Sequence, residues 1–145
     1  MNWETLRPEV RWAVEAAQDK KAQNVSILDL SQLSAFAQYF MVCSTGSGPQ
    51  LEAVSDAIEE RLEQHGIKPE HREGRRGAEW VLLDYGRFVV HIFSERARLY
   101  YDLERLWRAA PKLDIPSPGE SPEGSRPSGG TLPNSSSSDP ETTRP

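Results

Sequence analysis

The fold is decided by residues 79–107, EWVLLDYGRFVVHIFSERARLYYDLERLW, which predict a β-hairpin followed by two short helical segments that carry aromatic side chains. In the first strand of the hairpin, alternate side chains point to opposite faces of the sheet, so Trp80, Leu82 and Asp84 share one face. Gly86 follows this strand and supplies the backbone freedom that a hairpin turn requires. These residues therefore predict two antiparallel strands joined by a tight turn.

The second strand of the hairpin, residues 88–93, is apolar on both faces except at His91. A strand with apolar side chains on both sides belongs in the interior of a sheet that helices cover. The hairpin is therefore predicted to be the centre of an α/β sandwich, and the rest of the chain must supply the covering helices.

Hydrophobic periodicity and Gly/Pro punctuation assign the other elements. Thr5 and Asp102 are expected to cap the first and last helices, and Gly66 is expected to end the longest one. The fold class is α/β with α+β character, a mixed five-stranded sheet with helices. The predicted helices are residues 6–19, 49–65, 95–100 and 103–108, the predicted strands are residues 24–30, 39–44 and 68–73 besides the hairpin, and residues 32–38 form at most a turn or two of helix.

The composition changes at residue 116. The last thirty residues (145 minus 115) contain a single aliphatic side chain larger than alanine, Leu132. Such a segment buries too little apolar surface to offset an ordering entropy of roughly 1 to 2 kcal/mol per residue. We therefore predict a folded domain over residues 1–115 and a disordered Pro/Ser/Gly-rich tail over residues 116–145.

The charge of the chain argues against bare nucleic acid as its partner. The net charge is −5, and the tail accounts for −2 of it (four acidic side chains against two arginines), which leaves −3 for residues 1–115. Because nucleic-acid binding depends on Lys and Arg side chains that neutralise phosphates, a mildly acidic domain is a poor match. If RNA lies nearby, a basic protein is the expected contact, and no direct nucleic-acid readout is predicted.

The single cysteine, Cys43, excludes an intramolecular disulfide. The residues after Met1 lack the basic and apolar segments of a secretory signal, and no apolar run approaches the ~20 residues of a membrane-spanning helix. We therefore expect a cytoplasmic protein.

A small-residue turn at residues 44–48, STGSG, lies between a predicted strand and a predicted helix. Backbone N–H groups at such a turn can bind a phosphate, and nucleotidyltransferases use a similar turn together with paired carboxylates that hold Mg²⁺. Here the next strand offers His71 where a carboxylate is needed, and Asp29 and Asp84 are isolated. We therefore interpret the turn as a strand-to-helix connection with a capping serine, and predict no enzyme activity, catalytic residue, metal or cofactor.

His91 and Cys43 each have a catalytic and a structural interpretation. No second ligand stands near His91 at a metal-binding spacing, so a hydrogen-bonded structural histidine is favoured. Cys43 would be a nucleophile only if His91 came alongside it, and a buried cysteine on a strand behaves as a small hydrophobic residue.

The aromatic side chains around the hairpin are too many for the small core beneath it. Trp and Tyr are enriched in binding hot spots, and acidic and basic residues alternate with this group, as in a protein interface with a charged rim. The pattern leaves core and interface open. The residues concerned are Trp80, Tyr85, Tyr100, Tyr101 and Trp107.

Five segments together resemble the ribosomal silencing factor family, which is also called RsfS or Iojap-like. They are DKKAQNVSILDL (19–30), QYFMVCSTGS (38–47), VSDAIEE (54–60), EWVLLDYGRFVVHIF (79–93) and YYDLERLW (100–107). The chain departs from the usual family pattern at Gln38 and in the turn at residues 46–50, so no partner contact is carried over to that turn.

The resemblance implies a nucleotidyltransferase-like α/β fold without catalytic carboxylates. It also implies a protein that binds the large ribosomal subunit through ribosomal protein L-fourteen and blocks joining of the small subunit when nutrients are scarce, and that can form a homodimer off the ribosome. Two alternatives stay open: a factor for large-subunit assembly and, in another class, a nucleotidyltransferase.

The partner is expected on the outer face of the hairpin. A carboxylate such as Asp84 does not point into a core unpaired, so the strand face that it shares with Trp80 is predicted to be exposed. The predicted partner-binding residues are Trp80, Asp84, Tyr85, His91, Tyr101 and Leu103.

Overall fold

The computed structural model of the protein describes residues 1–118, and residues 1–115 of it form one compact unit. The predicted disordered tail begins at residue 116 and lies almost wholly outside the described residues, so it stays a prediction. A short 3₁₀ turn, Trp3–Thr5, precedes the first helix. The elements are α1 (Pro8–Asp19), β1 (Gln23–Asp29), β2 (Tyr39–Thr45), α2 (Gly48–Glu63), β3 (His71–Glu73), β4 (Trp80–Asp84), β5 (Phe88–Ser94), α3 (Glu95–Tyr101), α4 (Leu103–Leu106) and β6 (Lys112–Asp114).

The strands form one mixed sheet in the order β3-β4-β5-β2-β1-β6. Strands β2 and β5 pair in parallel at its centre, and the other pairs are antiparallel. The predicted hairpin is present, with Trp80 opposite Phe93 and Asp84 opposite Val89. The mixed α+β fold class is thus confirmed, and β5 has the central place expected of a strand that is apolar on both faces.

The predicted number of five strands is wrong, because residues 1–118 already form a sheet of six. The missing strand is β6, which pairs with β1 through Leu113 opposite Ile27. It comprises three residues directly after Pro111, which was interpreted as a stop. A segment this short has no readable periodicity, and the edge of β1 is what makes it a strand.

One face of the sheet, the helix-covered face, packs under α1 and α2. Val10, Val14, Val54 and Ile58 from the helices have no exposed surface, and neither does Leu83 on β4. The remaining core positions come from alternate residues of the central strands, so this face is a closed hydrophobic core. The strand residues concerned are Ile27, Met41, Cys43, Val81, Leu83, Val90 and Ile92.

Within residues 1–118, the other face of the sheet, the thin face, is covered by the two short helices α3 and α4. Its buried cluster is small and includes Val42, Phe93 and Ala97. Larger side chains that pack against this cluster stay partly exposed, because two helices of seven and four residues cannot cover six strands. The partly exposed residues are Ala37, Phe40, Trp80, Leu103 and Trp107.

Some predicted helix ends are correct and others are not. Ser47 Oγ accepts a hydrogen bond from the Gln50 N–H at 3.1 Å and so caps α2, and Gly66 has the predicted left-handed backbone with φ +79°. Thr5 lies in the 3₁₀ turn instead of capping α1, which begins at Pro8. Asp102 makes no side-chain cap bond; its φ of 50° ends α3 and turns the chain into α4.

Residues 32–38 form turns without helix, which is compatible with the prediction of at most a turn or two of helix. β3 differs from the prediction, because it begins at His71, three residues later than expected. Pro69 lacks a backbone N–H and so cannot contribute a donor to a strand ladder. None of the helices in residues 1–118 is long and apolar enough to cross a membrane.

Candidate functional site

The candidate site is an aromatic patch on the thin face, between β4 and α3. We define the aromatic patch as Trp80, Leu82, His91, Tyr101 and Leu103. A groove of about 450 Å³ opens beside it, lined by Trp80, Leu82 and Tyr101 together with residues of the β3–β4 connection. The groove is predominantly apolar, which suits contact with an apolar protein surface better than with a charged small molecule.

Trp80 is fixed in the patch by contacts on several sides. Its ring centroid lies 4.6 Å from that of Tyr101 and 4.9 Å from that of Phe93. Its indole N–H donates to His91 Nδ1 at 3.1 Å. The expectation that Trp80 stands exposed is therefore wrong: the side chain is half-buried, because α3 turns back over β4 and brings Tyr101 onto the indole.

His91 lies beneath Trp80, and only 3% of its surface is exposed. Burial lowers the pKa of the imidazole to about 4, so the ring is neutral at pH 7. Because Nδ1 accepts the bond from Trp80, the proton of the neutral ring sits on Nε2. Within residues 1–118, Nε2 is buried and has no hydrogen-bond partner. The histidine is thus hydrogen-bonded as predicted, but it leaves one donor unsatisfied under the patch.

Asp84 and Tyr85 do not join the patch in the predicted way. Asp84 lies on the same strand face as Trp80, but its carboxylate accepts the Gly86 N–H at 2.7 Å and so closes the hairpin turn. Tyr85 points to the helix-covered face and stacks on Phe88 with ring centroids 6.1 Å apart. Burial raises the pKa of the Tyr85 phenol. We therefore leave Tyr85 out of the proposed surface and place Asp84 at its rim.

An exposed apolar band lies on α3 and α4; the sequence analysis left Tyr100 open between core and interface and did not single out Leu99 and Leu106. Leu99, Tyr100 and Leu106 are 82%, 78% and 72% exposed, and they line a second groove next to Tyr101. Single exposed apolar side chains are ordinary, but three on adjacent turns form a candidate contact surface. The signal was present in the sequence, since Ala97 and Trp107 already fill the inward positions and leave these three without a place in the core.

Arg98 holds the two short helices in position against the sheet. Its guanidinium donates to the Glu104 carboxylate at 2.8 Å and to the backbone oxygen of Asn24 on β1. The hydrogen bond from Arg98 lowers the pKa of Glu104. Only 13% of the Arg98 side chain and 20% of the Glu104 side chain are exposed, so solvent screens this pair less than a surface pair. The pair therefore fixes the turn that carries Tyr101 and Leu103.

In the small-residue turn before α2, hydrogen bonds within the chain occupy the groups that could bind an anion. The Gly46 N–H, a candidate anion-binding donor by its place in the turn, donates to Gln50 Oε1 at 2.7 Å. The Gln50 amide nitrogen donates in turn to the backbone oxygens of Lys20 and Lys21 at 3.1 and 2.9 Å. With Ser47 occupied as the helix cap, these groups serve the connection between elements, in agreement with the structural interpretation of the turn.

The isolated carboxylates of Asp29 and Asp84 also accept hydrogen bonds from residues close to them in the chain. Asp29 Oδ1 accepts from the Ser31 N–H at 3.0 Å and from the Ser31 hydroxyl at 2.7 Å. Asp29 on β1 and Asp84 on β4 are three strand positions apart, roughly 14 Å at the usual strand spacing, which is too far to share one Mg²⁺. Residues 1–118 contain no group of three acidic, His or Cys side chains that could hold a metal ion.

Cys43 and His91 point to opposite faces of the sheet. Cys43 is fully buried in the helix-covered core, and burial raises the pKa of its thiol to about 12. His91 is on the thin face and pairs across the sheet with Val42. A thiol and an imidazole separated by the sheet cannot exchange a proton, so the two do not form a nucleophile pair.

Comparison with known proteins supplies the context for this site. A family model described as "Ribosomal silencing factor during starvation" matches residues 4–139. The ribosomal silencing factor RsfS of Bacillus subtilis is 39% identical over 103 residues, which covers 71% of this chain and 87% of the relative. A crystal structure of a Chromobacterium violaceum protein matches with a TM-score of 0.67 at 31% identity and covers 77% of this chain and 93% of that one. A Bacillus halodurans crystal structure matches with a TM-score of 0.65 at 35% identity, over 73% and 96%.

Proposed function

Because this chain belongs to the ribosomal silencing factor family, we propose that it binds the large ribosomal subunit through ribosomal protein L-fourteen and sterically prevents the small subunit from joining. This action represses translation under nutrient limitation, takes place in the cytoplasm and involves no turnover. Its relatives are named as silencing factors and not as enzymes, which supports a regulatory role.

The observation that carries this proposal is a partly exposed apolar surface that lies over a buried hydrogen-bond donor without an acceptor within residues 1–118. Trp80, Leu82 and Leu103 are half-buried, so each keeps apolar surface that a partner can remove from water. Beneath them, His91 Nε2 has no acceptor within residues 1–118. An unpaired buried donor costs about 1 to 3 kcal/mol, and that cost disappears if docking supplies an acceptor.

The candidate surface combines two neighbouring apolar regions. The aromatic patch and the apolar band of Leu99, Tyr100 and Leu106 adjoin each other at Tyr101, which lines the grooves beside both. Standard protein interfaces bury ~800 Å² on each partner around an anchor of Trp, Tyr or Arg. We therefore propose Trp80 and Tyr101 as the anchors, with Asp84 at the rim to meet a basic partner.

The test of this proposal is a pair of measurements on the purified protein. Affinity for isolated ribosomal protein L-fourteen is measured first, and joining of purified subunits is then followed by gradient sedimentation. We expect binding and a block of joining, and we expect Tyr101→Ala to weaken both by about thirtyfold, the effect of a ~2 kcal/mol hot spot.

Phe36→Ala is the matched control. Phe36 is an exposed aromatic residue in the β1–β2 loop, with 92% of its surface accessible, and it lies outside the aromatic patch and the apolar band. Its removal should leave binding and joining unchanged. A protein that binds the large subunit without affecting joining would contradict the proposed steric mechanism.

The alternative of a large-subunit assembly factor makes a different prediction in cells. A deletion strain would then accumulate large-subunit precursors on gradients, whereas a silencing factor leaves mature subunits and changes only how many join. The nucleotidyltransferase alternative is tested with labelled nucleoside triphosphates and Mg²⁺. Transfer that Ser47→Ala abolishes would contradict a function by binding alone.

We also propose a homodimer when the protein is off the ribosome. The apolar band is more than two-thirds exposed at each of its three residues, and a second copy is one way to cover it. Light scattering with size-exclusion chromatography gives the mass directly. We expect a dimer that Leu99→Glu converts to a monomer, and a wild-type monomer at micromolar concentration would contradict this proposal.

A further inference from the structure

Two adjacent arginines, Arg75 and Arg76, form the tip of the β3–β4 connection, and we call them the arginine turn. Both residues are exposed. Within residues 1–118, neither side chain makes a hydrogen bond or an ion pair. Two guanidinium groups without such partners lie on adjacent residues of one exposed turn. This turn therefore presents a concentrated positive charge to solvent.

The backbone fixes the arginine turn firmly in place. The Ala78 N–H donates to the Arg75 oxygen at 2.9 Å, and Gly77, at the third position of this four-residue turn, has a φ of +89°, which glycine adopts without strain. Gly74 approaches β4 so closely that a Cβ on it would lie 2.6 Å from the backbone oxygen of Trp80. The turn is therefore anchored directly beside the aromatic patch.

Neighbouring acidic side chains do not neutralise the arginine turn. The Glu73 carboxylate lies 2.5 Å from His71 Nε2, and Glu79 pairs with Arg96 and accepts from the Ser94 hydroxyl. Arg96 thus offsets the charge of Glu79, and the Glu73 carboxylate can offset only one of the two arginine charges. The result is a local positive site in a domain whose net charge is negative.

We propose that Arg75 and Arg76 contact backbone phosphates of ribosomal RNA when the aromatic patch docks on the large subunit. This inference rests on the proposed function, because it places a second contact next to the first. The planar guanidinium group matches a phosphate in a paired hydrogen-bonding geometry, and the large subunit is a ribonucleoprotein with phosphates along its RNA. Phosphate contacts position a protein without reading sequence, so no nucleic-acid readout is required.

Average charge concealed this site from sequence reasoning. The charge of −3 over residues 1–115 argued against RNA as a partner, and that argument holds for the domain as a whole. At a docked interface, however, the few charges that face the partner contribute most to the electrostatic attraction. Salt screens the interaction of charges that lie farther from the partner than about a Debye length. The partner is therefore mixed: protein at the patch and phosphate at the turn.

The experiment compares the wild type with the double variant Arg75→Gln and Arg76→Gln. Affinity is measured for isolated ribosomal protein L-fourteen and for the whole large subunit, at salt concentrations from 50 to 200 mM. We expect the variant to bind the isolated protein like the wild type and to bind the whole subunit more weakly at 50 mM salt. Because only the wild type makes the two phosphate contacts, its advantage over the variant should shrink roughly sevenfold to twelvefold as the salt rises from 50 to 200 mM.

The matched control removes two positive charges from the other side of the sheet, through Arg11→Gln and Lys20→Gln on and after α1. This variant should bind the subunit like the wild type at every salt concentration. Equal affinity of the arginine-turn variant and the wild type for the whole subunit would overturn the inference. A parallel loss on isolated L-fourteen would overturn it too, because the arginines would then contact that protein. A wild type that binds neither target would instead refute the proposed function.

Discussion

The two faces of the sheet are built from the same strands but covered to different extents. On the helix-covered face, α1 and α2 span twelve and sixteen residues and bury the strand side chains completely. On the thin face, α3 and α4 span seven and four residues and leave several large side chains, among them Trp80 and Leu103, half-buried. Leu82 and Leu83 show the contrast within one strand, because Leu83 is fully buried and its neighbour is not.

This difference separates the part of the sheet that stabilises the fold from the part that remains available to a partner. Apolar area removed from water contributes roughly 25 cal/mol per Å², whether a helix of the same chain or another protein covers it. The helix-covered face has already gained that contribution in the free protein. The thin face gains it only on binding, and the predictions below test this division.

The largest effect is expected from Leu83→Ala on the helix-covered face. The side chain is fully buried, so its truncation removes apolar contacts and leaves a cavity. We expect the free energy of unfolding to fall by about 3 kcal/mol, within the range for buried leucines. Urea denaturation measures this loss, and affinity for L-fourteen under conditions where the variant stays folded should match the wild type. Weak binding by a folded Leu83→Ala protein would contradict the division between faces.

His91 should make the stability of the thin face depend on pH. Its folded pKa is about 4 against an ordinary value of 6.5, so the unfolded chain binds the proton more tightly. Stability is therefore full above pH 6.5 and falls as the pH drops toward 4. We expect the wild type to lose roughly 2 to 3 kcal/mol more than His91→Gln between pH 7 and pH 4.5. Parallel pH profiles for the two proteins would show that His91 does not titrate in this window.

Trp80 contributes both to partner binding and to the stability of the fold, so Trp80→Ala and Trp80→Phe should behave differently. Trp80→Ala removes the anchor and should weaken binding to L-fourteen by about thirtyfold, or about 2 kcal/mol. It should also lower stability, although by less than the 3 to 5 kcal/mol of a fully buried tryptophan. Trp80→Phe keeps the ring contacts with Tyr101 but loses the bond to His91. Calorimetric titration of both variants gives the affinities, and wild-type affinity for Trp80→Ala would move the site elsewhere.

The smallest effect is expected from Ser47→Ala at the start of α2. The variant loses one capping hydrogen bond to the Gln50 N–H, which should lower the free energy of unfolding by about 1 kcal/mol. Because α2 covers the other face, affinity for L-fourteen should not change. Denaturation and titration of the same sample test both statements, and a binding defect here would implicate the turn before α2.

Much of the fold could be predicted from the sequence because its elements carry local signals. The alternating apolar residues of β4 and the two-sided apolar run of β5 identify the central hairpin, and Ser47 and Gly66 mark the limits of α2. β6 could not be found in this way. It is a strand because β1 offers a free edge near Ile27, and that edge exists only after the sheet has formed.

The site was less predictable because it depends on long-range placement. Alternation correctly placed Trp80 with Leu82 and away from Tyr85. The depth of Trp80 depends on Tyr101, which α3 places with its ring centroid 4.6 Å from that of the indole, and no local sequence pattern specifies this contact between distant residues. Gln50 likewise fills the small-residue turn only because the end of α1 brings two backbone oxygens to it.

The central claim is that the thin face binds the partner, and Leu82→Asp tests it most directly. Leu82 is half-buried in the middle of the aromatic patch, next to fully buried Leu83. The measurement is the affinity of the folded variant for isolated ribosomal protein L-fourteen, with urea denaturation of the same sample. The predicted result is binding at least about thirtyfold weaker, with an unfolding free energy within about 1 kcal/mol of the wild type. Binding within threefold of the wild type by a folded Leu82→Asp protein would contradict the claim.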